Sequence, residues 1–282
     1  MNPLAAMPPL DPLACARLLP AAAAVTVCAP LLGIGWAQLA GARFNTRLAA
    51  GWSLAAALAA AVTLAWAWRC GPGQPVLLGP QLAGGSLVHL DGLTAIMLPM
   101  VVIVLLAIVL VAPRRAVTVG GITRLLAGAA LTTATMTTSH PVALVVLWVA
   151  SLVPTWLSTR ATPGGRPTAR VYALMMSIGC VVFAIGVGLM AIDPPWANGA
   201  GVPGATGGWL VALAIMIRKG IVPFHSWYPA LFAAAPMSAA LAGTMPQVAS
   251  YAAVRLLVGH GDGVGAELVV LSQAALVTAA YG

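Results

Sequence analysis

The residues best suited to chemistry in this sequence surround Lys219, the only lysine among 282 residues. Lys219 and its neighbour Arg218 directly follow the apolar run 208–217, which is typical of a membrane helix. On insertion scales, a lysine in the middle of such a helix costs roughly 2.5 to 3.5 kcal/mol. Because the chain otherwise keeps charge out of its apolar runs, Lys219 predicts an ion or proton site. The alternative is a lysine that extends its ammonium to the membrane surface beside Arg218.

Pro223 and His225 follow the lysine within a few residues. Proline cannot donate to the helical hydrogen-bond ladder, so we predict a helix break at Pro223. Broken membrane helices occur where they are buried in protein or line a wet cavity. His225 titrates near neutral pH and could pass a proton onward. It could equally be a structural histidine at the membrane surface.

Hydroxyl side chains are concentrated in one apolar segment, the predicted fourth span. Such hydroxyls can hold water in a proton path, or they can bond to carbonyls of their own helix. We name Thr135 and Thr138 as candidates for the proton path. The full set is Thr132, Thr133, Thr135, Thr137, Thr138 and Ser139.

The composition is that of a polytopic membrane protein. Hydrophobic residues make up 61% and charged residues 6% of the chain, whereas soluble domains carry roughly 25% charge. The net charge of +8 is better explained by membrane topology than by nucleic-acid binding, because no basic patch is interleaved with aromatic residues. The four cysteines are scattered and are interpreted as small apolar residues. No haem pair, Fe–S cysteine set or nucleotide loop predicts a cofactor.

Apolar segments long enough to cross a bilayer predict an all-α bundle of about nine transmembrane helices, with no strand pattern. We expect one transmembrane domain over residues 1–282. It consists of an external segment (1–17), three spans (18–112), spans four to eight with the lysine motif (113–258), and a last loop and span (259–282). The predicted spans are 18–40, 48–68, 92–112, 121–138, 141–158, 171–192, 208–222, 234–257 and 266–281.

Basic residues orient these spans, because cytoplasmic loops carry an excess of Lys and Arg. Alternate loops and their edges hold Arg43, Arg47, Arg114, Arg115, Arg124, Arg160, Arg166 and Arg170. The opposite loops hold Asp91, Asp193 and Asp262, with Arg69 as the main basic exception. The sequence therefore predicts a multi-pass protein of the inner (plasma) membrane with its N-terminus outside.

The stretch from Lys219 to Arg255 resembles the antiporter-like, proton-conducting membrane subunits. These occur in respiratory complex I, multisubunit Na+/H+ antiporters and energy-converting hydrogenases. The matching residues are Lys219, Pro223, His225, Trp227, Pro229, Pro236, Ser238 and Ala239. The spacing of Gly243, Met245, Tyr251 and Arg255 is most similar to the hydrogenase and formate-hydrogenlyase branch. Weaker similarities are Asp91-Gly92-Leu93 and Trp148.

The resemblance implies a broken seventh helix, a proton path through Lys219, and partner membrane subunits within a larger complex, with lipid and protons or Na+ as further partners. The chain departs from the family at two positions of this path. Val149 follows Trp148 where the family has a glutamate that pairs with the lysine, and Gln247 stands where the family has a lysine or histidine. The family fold has about fourteen helices in two inverted repeats. Because this sequence has about nine spans before Gly282, we expect a truncated second repeat.

These departures leave several functions open. The chain could translocate protons or another ion as a subunit of a redox-driven or ion-coupled complex, with Lys219 as its central protonatable residue. It could be a structural membrane subunit without conduction, or it could take part in proton-coupled uptake of inorganic carbon. A free-standing secondary carrier is a further alternative. The sequence carries no catalytic centre, so any enzyme activity would belong to a complex of the NADH:quinone oxidoreductase or hydrogenase type.

Overall fold

A computed structural model describes residues 12–40, 46–71, 74–82, 85–112, 118–193, 202–244, 247–258 and 266–281. Most of the predicted external segment 1–17 lies outside these residues, and so do Arg43, Arg114, Arg115, Asp11 and Asp262. In chain order, the first half contains α1 Pro12–Ala40, α2 Thr46–Cys70, β1 Val76–Leu82, β2 Gly85–Leu90, α3 Gly92–Val111, α4 Val119–Thr135, α5 Pro141–Ala150 and α6 Val153–Ala161. The second half contains α7 Arg166–Ile192, α8 Val202–Lys219, α9 Trp227–Ala234, α10 Met237–Thr244, α11 Val248–Leu257 and α12 Ala266–Tyr281.

The helices form a polytopic transmembrane bundle, as the composition predicts. Within the described residues, five segments are long and apolar enough to cross a membrane: Arg17–Leu39, Thr46–Cys70, Gly92–Val111, Pro141–Ala161 and Arg166–Ile192. The other apolar regions consist of shorter helices, so the count of about nine spans stays a prediction. Two hydrophobic clusters fill the bundle. One joins α1 to α4, and the other joins α5 and α7 to the helices that follow.

Small residues let α7 and α8 pack with their backbones in contact. A Cβ atom added to Gly186 would lie 2.9 Å from the carbonyl oxygen of Gly207, and one added to Gly207 would lie 2.7 Å from the carbonyl oxygen of Gly186. Neither position has room for a side chain. This contact agrees with the general role of small residues at membrane helix interfaces.

Three of the predicted spans are interrupted in the structure. The predicted fifth span, 141–158, is divided into α5 and α6, with Pro154 in the first turn of α6. Proline has no N–H to donate to the carbonyl of residue 150, which ends the ladder at this point. The predicted eighth span, 234–257, is also not continuous, because α10 ends at Thr244 and α11 begins at Val248. In the predicted seventh span, 208–222, α8 ends at Lys219, and the next helix, α9, begins only at Trp227.

The loop between α2 and α3, where no strand was expected, contains a β-hairpin. Strands β1 and β2 are antiparallel, with Val76 opposite Leu90 and Leu78 opposite Val88. The backbone N–H of His89 donates to the carbonyl of Thr137 at 2.8 Å, which holds the hairpin against the end of α4. Neither strand alternates strictly between apolar and polar residues, because β1 contains Gly79 and Pro80 and β2 contains the apolar pair Leu87-Val88, so the pattern that indicates a strand is missing from the sequence.

Candidate ion-path site

The C-terminus of α8 is formed by Gly220, and it places Lys219 at the last helical position. Gly220 has a φ of 64°, a conformation that glycine adopts without steric cost. Its N–H donates to the carbonyl of Ile217 at 3.2 Å, and the N–H of Ile221 donates to the carbonyl of Met216 at 2.9 Å. This pair of bonds is the Schellman motif. The helix therefore ends at Lys219, four residues before Pro223.

The predicted break of the seventh helix is confirmed, although its cause differs from the one expected. Residues 220–226 form an irregular connection between α8 and α9, and Pro223 lies within it. Polar groups around the break find partners in the protein. The indole of Trp227 donates to the carbonyl of Ile217 at 3.0 Å, and the N–H of Val222 donates to the hydroxyl of Thr278 on α12 at 2.9 Å.

Lys219 contacts Gln247 at the second break. Its ammonium donates to the side-chain oxygen of Gln247, with an Nζ to Oε1 distance of 2.5 Å. The same oxygen accepts a hydrogen bond from the hydroxyl of Ser250 at 2.7 Å. Gln247 is the residue that precedes α11. The structure therefore joins the end of α8 to the start of α11 through two of the residues named from the sequence.

An open cavity of about 1300 Å³ lies beside this contact, between the break, α11 and α12. His225 is exposed and lines the same cavity as Lys219 and Gln247. Three of the predicted path residues are thus brought together around one cavity. Its other polar side chains include those of Ser250, Ser272 and Thr278.

Arg218, one residue earlier, contacts the fifth span instead. Its guanidinium donates to the carbonyl of Trp148 at 3.0 Å and to the hydroxyl of Ser151 at 2.8 Å, and it lies 4.3 Å from the centre of the Trp148 ring. Phe183 stacks on that ring at 4.0 Å between centroids. Consecutive residues on a helix point about 100° apart. That rotation could have indicated from the sequence that the two cations face different neighbours.

Within the described residues, no carboxylate contacts Lys219 or Arg218. Val149, which stands at the position of the family glutamate, is 43% exposed and faces away from the bundle. A glutamate at this position would lie on the outer surface of the described chain.

The candidate hydroxyls of the fourth span lie elsewhere. The Thr135 hydroxyl donates to the carbonyl of Leu131 at 2.7 Å, within its own helix. The Thr138 hydroxyl donates to the carbonyl of Ser86 on the hairpin at 3.3 Å. Neither threonine lines the cavity beside Lys219. The structure therefore does not bring them together with the lysine, and their part in a proton path stays a prediction.

A second polar cluster links the start of α3 to α11. Arg255 donates to both carboxylate oxygens of Asp91, at 2.6 and 3.1 Å, and to the hydroxyl of Tyr251 at 2.9 Å. His89 lies 3.5 Å from the same carboxylate. Burial by itself would raise the pKa of Asp91, but the hydrogen bonds from His89 and Arg255 outweigh it and hold that pKa well below its usual range. Asp91 and Arg255 were noted in the sequence, but their pairing was not predicted.

Three solved structures share this fold. A chain of respiratory complex I from Thermus thermophilus with bound aureothin superimposes with a TM-score of 0.67 and 21% identity, over 82% of this chain and 53% of that one. A chain of the membrane-bound sulfane sulfur reductase, an archaeal respiratory membrane complex, superimposes with a TM-score of 0.70 and 15% identity. The match covers 91% of this chain and 57% of that one. A chain of the Mrp complex from Dietzia sp. DQ12-45-1b superimposes with a TM-score of 0.65 and 21% identity. The match covers 83% of this chain and 48% of that one.

The sequence itself matches the family described as NADH:quinone oxidoreductase/Mrp antiporter, transmembrane, over residues 169–281. This match and the shared fold support the antiporter-like membrane subunit family for this chain. The matched part runs from α7 to α12 and includes both Lys219 and Gln247. No curated protein matches the sequence. The chain spans about half the length of the solved chains that it resembles.

Proposed function

We propose that this antiporter-like chain is an ion-translocating subunit of a multisubunit membrane complex, with Lys219 as its central protonatable residue. The observation that carries the proposal is the position of Lys219. The lysine lies where the breaks of two spans meet, bonded to Gln247 and beside a cavity that it shares with His225. An ionisable residue at membrane depth is by default a functional residue.

The groups around Lys219 can serve both of its charge states. An ammonium donates to the oxygen of Gln247, whereas a neutral amine can accept from the NH₂ of the same amide after it turns. Gln247 therefore holds the lysine in place without carrying charge. His225 lines the same cavity, and histidine is a common proton-transfer group in proteins. A proton would thus move between His225 and Lys219 through water in the cavity.

These groups would allow Lys219 to exchange protons without the carboxylate that pairs with this lysine in the family. Two cations, Arg218 and Lys219, are adjacent, and only Arg218 is held by both the carbonyl of Trp148 and the hydroxyl of Ser151. Arginine stays protonated, so Arg218 is a fixed charge next to the exchanging one.

Partner subunits are part of this proposal, and the hydrogenase branch is a prediction within it. A structural subunit without conduction and a proton-coupled subunit for inorganic-carbon uptake remain alternatives on the same fold. A free-standing carrier is less well supported. Its broken helices would occupy matching positions in two halves of the protein, whereas the breaks at Lys219 and Gln247 are in neighbouring spans.

The test is coupled ion transport by the intact complex in proteoliposomes, measured with a pH-sensitive dye and with ²²Na⁺. We expect Lys219→Ala to reduce coupled transport at least a hundredfold while the complex keeps its full set of subunits. Arg160→Ala, which removes an exposed arginine stacked on Trp156, is the control and should transport normally. If an assembled Lys219→Ala complex shows full coupled transport, the proposal is wrong and the chain is better described as a structural subunit without conduction.

Copurification distinguishes the remaining alternatives. A tag on this chain should recover unlike membrane subunits, identified by mass spectrometry. Recovery of the chain alone or as a homo-oligomer would favour the free-standing carrier. The identity of the recovered subunits would also test the predicted hydrogenase branch.

A further inference from the structure

A second cavity lies between α4, α6 and α10, separate from the one beside Lys219. Its volume is about 290 Å³, and its walls come from the fourth span, the part of the fifth span that follows the break, and the beginning of α10. Its polar lining is made of hydroxyls and one cation. They include Arg124, Thr132, Ser151, Thr155, Ser158 and Ser238.

Several of these polar groups have no partner in the described protein. Thr132 is 3% exposed and Ser158 is 7% exposed, and neither hydroxyl forms a hydrogen bond with another described residue. The half-buried guanidinium of Arg124 has no hydrogen-bond or ion-pair partner among these residues either. Buried polar groups are normally satisfied. Among the described residues, no fully buried side-chain nitrogen or oxygen lacks a partner, so these three polar groups are accessible from the cavity that they line and are free to bind a ligand there.

The electrostatic character of the lining selects the charge of that ligand. Arg124 faces the cavity directly, and Arg218 reaches its wall through the hydroxyl of Ser151 at 2.8 Å. Pro236, Ser238 and Ala239, from the N-terminal end of α10, also line it. The first amides of a helix have no partner within the helix, and this end carries a partial positive charge. No carboxylate is among the described residues that line the cavity.

We propose that this cavity binds a small inorganic anion, of the size of chloride or bicarbonate. The volume has room for such an anion with part of its hydration shell. Arg124 would supply the charge, and the hydroxyls of Thr132 and Ser158 would donate hydrogen bonds. In transporters, the N-termini of interrupted helices are used in the same way against anionic groups. The anion would also offset part of the positive charge that Arg218 brings into the bundle.

The proposal stands independently of proton transport and is tested by equilibrium binding of ³⁶Cl⁻ to the purified complex. The complex is placed in nanodiscs of zwitterionic lipid, with gluconate used to keep the ionic strength constant. We expect saturable binding that bicarbonate and nitrate displace. Arg124→Gln and the nearly isosteric Thr132→Val should each weaken it at least tenfold. Arg160→Gln is the matched control, because Arg160 stacks on Trp156 and does not line the cavity.

Other subunits of a complex can bind chloride, so the comparison between wild type and variants decides the matter. Equal binding by wild type, Arg124→Gln and Thr132→Val would show that the cavity holds only water. The phosphate of an anionic lipid is the other source of negative charge. If ³⁶Cl⁻ binding is insensitive to the variants while native mass spectrometry shows an anionic lipid lost from Arg124→Gln, the inorganic-anion proposal is wrong.

Discussion

The ammonium of Lys219 and the side-chain amide of Gln247 connect the interruptions of two adjacent spans. α8 ends at Lys219, α11 begins one residue after Gln247, and the two side chains form a hydrogen bond. Arg218 forms the equivalent link to the fifth span, where Ser151 follows the end of α5. Two consecutive cations on one helix therefore each contact the break of a different span.

Replacing Gln247 tests the link to Lys219 directly. Gln247→Leu keeps the approximate volume but removes the acceptor, and we expect coupled transport to fall at least tenfold because the lysine loses its only hydrogen-bond partner among the described residues. Hydrogen bonds to charged groups contribute about 1.5 to 3 kcal/mol. Ser250→Ala, which removes only the second donor to Gln247, should have a smaller effect. Equal transport by Gln247→Leu and wild type would contradict the proposed role.

Arg218 is expected to contribute to stability through its bonds to Trp148 and Ser151. Arg218→Gln shortens the side chain and removes the charge, and it should lower the free energy of unfolding by about 1 to 3 kcal/mol. The measurement is unfolding of the complex in mixed micelles, followed by tryptophan fluorescence. The stability of Arg160→Gln should stay within about 0.5 kcal/mol of wild type. An Arg218→Gln complex as stable as this control would show that the buried contacts contribute nothing.

The ion pair between Asp91 and Arg255 predicts a specific pH dependence. The pKa of this carboxyl is depressed in the folded state, whereas an aspartate in the unfolded chain has a pKa of about 3.9. The ion pair therefore contributes its full stability above the unfolded pKa. That stability is lost as the pH falls below the unfolded pKa and through the folded one. The stability from this pair should therefore be constant from neutral pH to about pH 4 and decline only in stronger acid. Thermal unfolding from pH 7 to pH 3 measures it.

Asp91→Asn is the companion variant for the acid measurement. It leaves Arg255 without a charged partner, which should cost about 3 to 5 kcal/mol at neutral pH. Wild type and variant should converge only in strong acid, where Asp91 becomes protonated. If the difference in stability between wild type and Asp91→Asn already disappears between pH 6 and pH 5, the pKa of Asp91 is not depressed in the folded state.

Gly220 should not tolerate a side chain. Its φ of 64° costs residues other than glycine about 1 to 2 kcal/mol, and an added Cβ would lie 3.3 Å from the Cβ of Tyr228. Gly220→Ala should lower the stability by at least about 1 kcal/mol and reduce transport. Gly188→Ala on α7, where nothing lies within 4 Å, is the matched control and should be neutral or stabilising. Equal stability of the two variants would argue against the described helix end.

The orientation predicted from charge can be tested with single cysteines in a background without the native ones. Arg166 at the start of α7 and Gln81 on the hairpin are both exposed. We expect a membrane-impermeant maleimide to label Gln81→Cys from outside intact cells, and Arg166→Cys only after the membrane is opened. Labelling of both positions from the same side would exclude the predicted orientation.

The sequence was sufficient to predict the membrane class and the helical bundle, and its family resemblance placed Lys219 and Gln247 on one path, where the structure has them in contact. Charge in an apolar segment and the order of motif residues carry that information locally. The interruption at Ser151 was not predicted, because Pro154 was counted within an apolar segment of suitable length. The hairpin was missed because its strands lack strict alternation, and its hydrogen bond from His89 to Thr137 at the end of α4 joins residues far apart in the sequence.

Side-chain partners were harder to predict than positions along the chain. Thr135 and Thr138 were grouped with the lysine because they are polar residues in a membrane segment. Their hydroxyls instead bond to Leu131 and Ser86. The pairing of Asp91 with Arg255 joins residues 164 positions apart, and it depends on how α3 and α11 pack, which no local pattern records.

The close contact between Gly186 and Gly207 limits how this protein can move. The two backbones touch at this point, so rotation of α8 against α7 there would bring them into collision. On the proposed function, exposure of Lys219 to the two sides of the membrane would then depend on rotation of its side chain and on rearrangement of residues 220–226, the seven residues of irregular backbone that follow α8.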